Sequence, residues 1–168
     1  LAQAGEHPRV ADALHWQALL HERGELPFAA LDNYELLIAR HPDAEHMDEI
    51  LVEAAKLALK LGVPDKAARY ADRAVQEYPQ SPHFAEAKLL QGDAYARTGQ
   101  REAARQLYAE SLQREESGPL RAETVLRLGR LAYDEGNYDS AIKQIRDYLS
   151  KSTAAEGNDA AYLLLAQA

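Results

Sequence analysis

Ala30, Ala67, Ala104 and Ala141 stand a constant 37 residues apart, and three other ladders keep the same step. The small residues Ala18, Ala55, Gly92, Gly129 and Ala166 form one, Ile38, Val75, Leu112 and Leu149 another. Gly62, Gly99 and Gly136 form the last, with Gly24 one place early in the first unit. Coincident ladders at one period mean a repeat array, in which each unit buries its apolar face only by stacking on its neighbours. No globular fold with a single irregular core requires such regularity.

Within a unit the pattern is two helices. Phe84, Ala87, Leu90, Ala94 and Tyr95 recur at three- and four-residue steps, as do Ala103, Ala104, Leu107, Tyr108, Ser111 and Leu112. Gly99 between the two runs suits a left-handed C-cap, and Ser81-Pro82 predicts an N-cap and a first-turn proline. So short a link makes an antiparallel helical hairpin. The small residues have a steric role: helices approach to about 8–10 Å only where side chains at the crossing allow it. Gly92 or Gly129 and Ala104 or Ala141 are the expected crossing residues. Helix pairs are predicted over residues 9–23 with 27–40, 45–61 with 64–78, 82–98 with 101–115 and 119–135 with 138–151, then a lone helix over 157–168. The chain is thus read as one all-α array over residues 1–168.

Chemistry-bearing patterns in the chain carry little. The chain has no cysteine, which excludes disulfides, thiolate nucleophiles and zinc–thiolate sites. Its glycines follow helices, not strands, so none forms a phosphate-binding loop, and no Gly-x-Ser-x-Gly elbow occurs. His41, Glu45 and His46 lack the spacing of a helical zinc pair and are expected as solvated turn residues. Trp16 is expected half-buried in the first hairpin. No carboxylate pair stands in opposed surroundings. We expect no enzyme, no metal and no cofactor. The net charge of −8 argues against nucleic acid, and no apolar run is long enough to span a bilayer.

Gly92-Asp93-Ala94-Tyr95, Gly99, Ala104, Tyr108 and Leu112, and again Leu128-Gly129, Gly136-Asn137-Tyr138, Ala141-Ile142 and Leu149, resemble the tetratricopeptide repeat (TPR) signature. Pro42 and Pro79 stand where that family closes its second helix. The resemblance covers nearly the whole chain and implies a right-handed superhelical solenoid that binds a protein partner in a groove lined by the first helices. Two departures stand out: the 37-residue step exceeds the family's 34, and the first unit has Gln17 and His21 at usual core positions.

Carried over position by position, the resemblance assigns His15, Leu19 and Glu22, then Val52, Lys56 and Leu59, then Leu89, Asp93 and Ala96, then Leu126, Arg130 and Tyr133 to the groove. Lys56, Lys60, Arg97, Arg127 and Arg130 make a basic patch there within an acidic chain. Lys56, Lys60, Asp93, Arg97, Arg127, Arg130 and Tyr133 are therefore the candidate partner-binding residues. A simpler account covers some of them. Arg23, Lys60 and Arg97 fall in last turns, and Asp12, Glu49, Glu86 and Glu123 near helix starts, where charge offsets the helix dipole. Arg127 and Arg130 lie mid-helix, beyond that account. Val52 or Leu89 where chaperone-tail receptors carry their first clamp lysine rules against that subclass.

Ala/Leu/Arg-rich repeats closed by His41-Pro42 and Tyr78-Pro79 are similar to the periplasmic TPR portions of exopolysaccharide secretion proteins of the Pel, Pga and cellulose type. That likeness implies a periplasmic scaffold recruiting a protein partner; a cytoplasmic adaptor for a short peptide motif, or a groove for an anionic polymer, are the alternatives. Leu1–Ala4 reads as the tail of a preceding second helix, and Tyr162–Ala166 as an apolar end able to self-associate, as if cut from a longer array.

Overall fold

The computed structural model describes residues 8–114, 119–151 and 158–167, all of which fall in helices or the short links between them. They divide into two compact units, Leu1–His83 and Phe84–Ala168. The first holds α1 (Pro8–Arg23), α2 (Pro27–Arg40), α3 (Met47–Lys60) and α4 (Pro64–Glu77). The second holds α5 (Phe84–Arg97), α6 (Arg101–Arg114), α7 (Pro119–Asp134), α8 (Tyr138–Lys151) and α9 (Asn158–Gln167). In the first unit α1 packs on α2, α2 on α3 and α3 on α4; in the second, α5 pairs with α6 and α7 with α8, while α6 packs on α7 and α9 on both α7 and α8.

Each hairpin turns by the same device. Val63 N–H donates to Ala58 C=O and Gly62 N–H to Leu59 C=O, the paired bonds of a Schellman cap. Gln100 to Tyr95 with Gly99 to Ala96, and Asn137 to Ala132 with Gly136 to Tyr133, repeat it. This cap needs a left-handed residue, and Gly62, Gly99 and Gly136 have φ of 73°, 85° and 75°. The first hairpin makes the same bonds, Leu26 to His21 and Glu25 to Glu22, but the left-handed residue is Glu25, at φ 57°. Gly24 stands one position too early to help. Pro27 and Pro64 then open the second helices of the first unit, at a position whose N–H has no helical partner.

The alanine ladder is the core. Ala30, Ala67, Ala104 and Ala141 are all fully buried. Gly92 faces the Tyr108 ring rather than Ala104: a Cβ built there would lie 2.4 Å from Tyr108 Cε1. That glycine lets the second helix carry a tyrosine against the first.

Some expectations change. Trp16 is exposed (64%), because it lies on the opposite side of α1 from the fully buried Ala18. Helix α5 begins at Phe84, not residue 82. Ser81 Oγ accepts the His83 N–H at 2.9 Å and donates to Asp48 at 2.5 Å, so it ties a turn to the start of α3 instead of capping α5. The weak first hairpin compensates with polar pairs: Asn33 Nδ2 donates to His21 Nδ1 at 2.9 Å and Tyr34 Oη donates to Glu22 at 2.8 Å. The expectations for Leu1–Ala4 lie outside the described residues.

Candidate interaction surface

A first helix in such an array has neighbours on two sides, so little of its circumference is left open. Nine of the residues in α3 are buried, Val52 and Leu59 among them, and Leu89 in α5 is buried too. These three positions, assigned to the groove by family resemblance, are core. Apolar side chains there gain about 25 cal/mol for each Å² removed from water, which a solvent-lined groove would forfeit.

In the first unit, Lys56 is half-buried and its Nζ lies 2.8 Å from Glu53 Oε1, one turn back on α3. Lys60 is exposed in the last turn of α3, and Arg23 and Arg97 end α1 and α5 in the same way. Dipole compensation therefore accounts for the cations of that ladder. Its acidic counterpart holds only in part: Glu49 and Glu86 lie in first turns, whereas Asp12 and Glu123 do not.

In the second unit the candidates separate. Asp93, with 13% of its side chain exposed, accepts from Tyr108 Oη at 2.7 Å and from Arg127 Nε at 2.7 Å. Arg127 Nη2 also reaches Glu123 Oε1 at 2.8 Å. Burial disfavours the Arg127 charge, but the field and hydrogen bond of Asp93 outweigh it and raise its pKa. Burial and then the Asp93 charge push the Tyr108 phenol up, so it remains a donor. Arg127 is thus the neutralising partner of a nearly buried carboxylate. The sequence could have hinted at this only through the 34-residue interval between Asp93 and Arg127, which places them on stacked first helices.

Arg130 differs. Its side chain is 59% exposed, its Nε is 3.2 Å from Asp134 Oδ1 one turn on, and its guanidinium carbon lies 5.7 Å from the Tyr133 ring centroid. Tyr133 is half-buried, packed on the Ile145–Ala161 cluster and edge-on to Tyr138 at 5.3 Å. Arg97 is exposed on α5. The surface thus carries the Arg130 guanidinium braced by an aromatic ring, on the same helix as the half-buried Arg127 that pairs with Asp93.

Among the described residues no three His, Cys, Asp or Glu side chains converge as metal ligands, and His46 with Glu45, 3.7 Å apart, are both largely exposed. No described helix is long and apolar enough to cross a membrane.

Stacked two-helix hairpins with a glycine Schellman turn and a small-residue crossing define a helical-repeat protein. A tetratricopeptide-repeat family model matches residues 52–121 and 126–168, and the chain belongs to that family. No curated protein matches it. Among solved structures, a tetratricopeptide repeat protein of Parabacteroides merdae is similar at 13% identity and a TM-score of 0.73, over 94% of this chain and 59% of its own. PilW, a widely conserved type IV pilus biogenesis factor, is similar at 22% identity and TM-score 0.71, over 95% of this chain and 77% of its own. Pseudomonas aeruginosa pilF is similar at 16% identity and TM-score 0.69, over 94% and 74%. At these identities the likeness is one of fold, and the chain spans less than two thirds of the Parabacteroides protein's length.

Proposed function

We propose that this chain is a non-catalytic protein-binding scaffold whose α7 surface around Arg130 and Tyr133 holds a partner in a bacterial exopolysaccharide export assembly, in the periplasm. The observation that carries the surface is the exposed Arg130 guanidinium over the Tyr133 ring. Its Asp134 bridge is an exposed i,i+4 pair, worth about 0.3–0.5 kcal/mol, so a carboxylate on a partner can replace it at little cost. The Asp93–Arg127 pair ties α7, the helix that carries that guanidinium, to α5. The export role is supported by the repeat composition and its His-Pro and Tyr-Pro closers; a shared fold with a type IV pilus biogenesis factor is consistent with assembly work of this kind.

Affinity capture from an envelope fraction, run in parallel with wild-type chain and Arg130→Glu, tests the reading. Proteins retained by wild type and lost by the variant, at equal thermal stability, are the expected result. Identical capture by both refutes the surface, and capture of purified anionic polymer in place of protein refutes the partner class. The apolar Tyr162–Ala166 segment is proposed as a self-association surface, since Tyr162 and Leu163 are 60% and 63% exposed. Sedimentation at millimolar concentration showing only monomer removes that part.

A further inference from the structure

The first unit carries a cleft of about 320 Å³ between α2 and α4, lined by Glu35, Ile38, Lys66, Arg69, Tyr70 and Arg73. Lys66, Arg69 and Arg73 follow one another at three and four residues along α4, so they share a helix face. Dipole compensation does not explain them, because the last turn of α4 holds no cation. Half of the cleft already shows how it takes an anion. The Glu35 carboxylate reaches across from α2 and accepts from Lys66 Nζ at 2.5 Å and Tyr70 Oη at 2.8 Å. Burial opposes that charge, yet these donors hold the Glu35 carboxyl below the usual range.

The other half has donors to spare. Arg73 commits its Nε to Glu77 Oε1 at 2.7 Å, which leaves both its terminal nitrogens available in that pair. Arg69 is exposed one turn away, where its charge also favours the Glu35 carboxylate and no hydrogen bond commits its guanidinium among the described residues. Both guanidiniums line the cleft one turn apart, and each can give a carboxylate the charge-assisted, bidentate hydrogen bonds that are the strong ones. Ile38 beside them supplies an apolar wall that a bare anion would leave wet.

We propose that this cleft is a second docking site, taking a partner-protein segment that places an acidic side chain on Arg69 and Arg73 and an apolar neighbour on Ile38. It deepens the scaffold reading without depending on Arg130: the residues are different, and Arg130→Glu leaves the test below unchanged.

The test is an amide-shift titration of the ¹⁵N-labelled chain with an acetylated, amidated hexapeptide alternating Leu with Asp and Glu. A control peptide carries Asn and Gln in their place, and inorganic phosphate forms the third arm. Saturable shifts confined to α2 and α4 with the acidic peptide are expected. Arg69→Glu should weaken them by about tenfold or more, as loss of one charge-assisted pair implies, and Arg69→Lys should restore part of the affinity. Absence of saturation, equal shifts with the amide peptide, or indifference to Arg69→Glu overturns the proposal. Phosphate matching the peptide at equal concentration overturns it too, because the site then takes small anions and not a polypeptide.

Discussion

Replacing Glu25 with glycine should stabilise the first hairpin, an unusual direction for a substitution that removes a side chain. Glu25 holds the left-handed position of the Schellman turn at φ 57°, where the equivalent residues are Gly62, Gly99 and Gly136. A Cβ in that region costs about 1–2 kcal/mol. Glycine returns about 0.5–1 kcal/mol of this through its freer unfolded chain. Glu25 also places a negative charge just past the C-terminus of α1, unfavourable by about 0.3–1 kcal/mol. The balance is a gain of about 1 kcal/mol, with Glu25→Ala recovering only the charge part. A Cβ at Gly62 would meet nothing within 4 Å, so Gly62→Ala isolates the backbone cost and should lose about 1 kcal/mol. Because a repeat array need not unfold as one unit, amide exchange at Leu26 and Ala30, whose N–H groups bond to His21 and Leu26 carbonyls, is the local readout. Exchange should slow by about fivefold in Glu25→Gly, the equivalent of 1 kcal/mol. Equal or faster exchange in that variant refutes the turn argument. An equal gain from Glu25→Ala shows instead that charge, not φ, set the cost.

Gly92→Ala should destabilise the second unit by about 1–2 kcal/mol despite alanine's better helix propensity, since the new methyl falls within the Tyr108 ring and that ring is pinned by Asp93. Thermal unfolding checks it, and a neutral or stabilised variant means the hairpin opens freely. Arg127→Ala should cost about 1–3 kcal/mol by stranding the Asp93 carboxylate, with Asp93→Asn in the same chain recovering part of it. Unchanged urea midpoints would return Arg127 to the pool of free surface cations. Glu35 and Asp48 both have folded pKa values below the ordinary carboxyl range: burial works against each charge, but Lys66 and Tyr70 for Glu35, and the Ser81 hydroxyl for Asp48, prevail. Their stabilisation is therefore complete above the unfolded carboxyl pKa, about 4, and is lost as pH falls through the lower folded values. Glu35→Gln with Asp48→Asn should flatten that acid limb of stability against pH; an identical limb would place the acid sensitivity elsewhere.

The repeat step, the helices and their turns could be read from sequence because the interactions that set them are local. A helix is decided by hydrogen bonds four residues apart, a cap by the residue just beyond, and Gly62, Gly99 and Gly136 announce their own φ. Even so, the first hairpin turns at Glu25 and not at Gly24, because the cap bonds and not the residue type determine which position is left-handed. Last-turn cations were equally legible, being a matter of helix position alone.

The site was not legible in the same way. Val52, Leu59 and Leu89 are core because a first helix is enclosed from more than one side, a fact about neighbouring helices that no single-helix pattern contains. Trp16 is exposed for the converse reason: its face of α1 is left open. Arg127 and Arg130 look alike as mid-helix cations three residues apart, yet their fates diverge. One turns toward Asp93, 34 residues back, and is neutralised; the other faces solvent over Tyr133. The α2–α4 cleft likewise exists only because hairpin stacking brings Glu35 to Lys66 and Tyr70, with Arg69 and Arg73 lining the same cleft. By itself the sequence determined the period, the helices and the turns, which depend on residues a few positions apart. Which charges are spent within the fold and which stay exposed was decided by the tertiary structure, since pairing and burial depend on distances in space between residues one repeat apart.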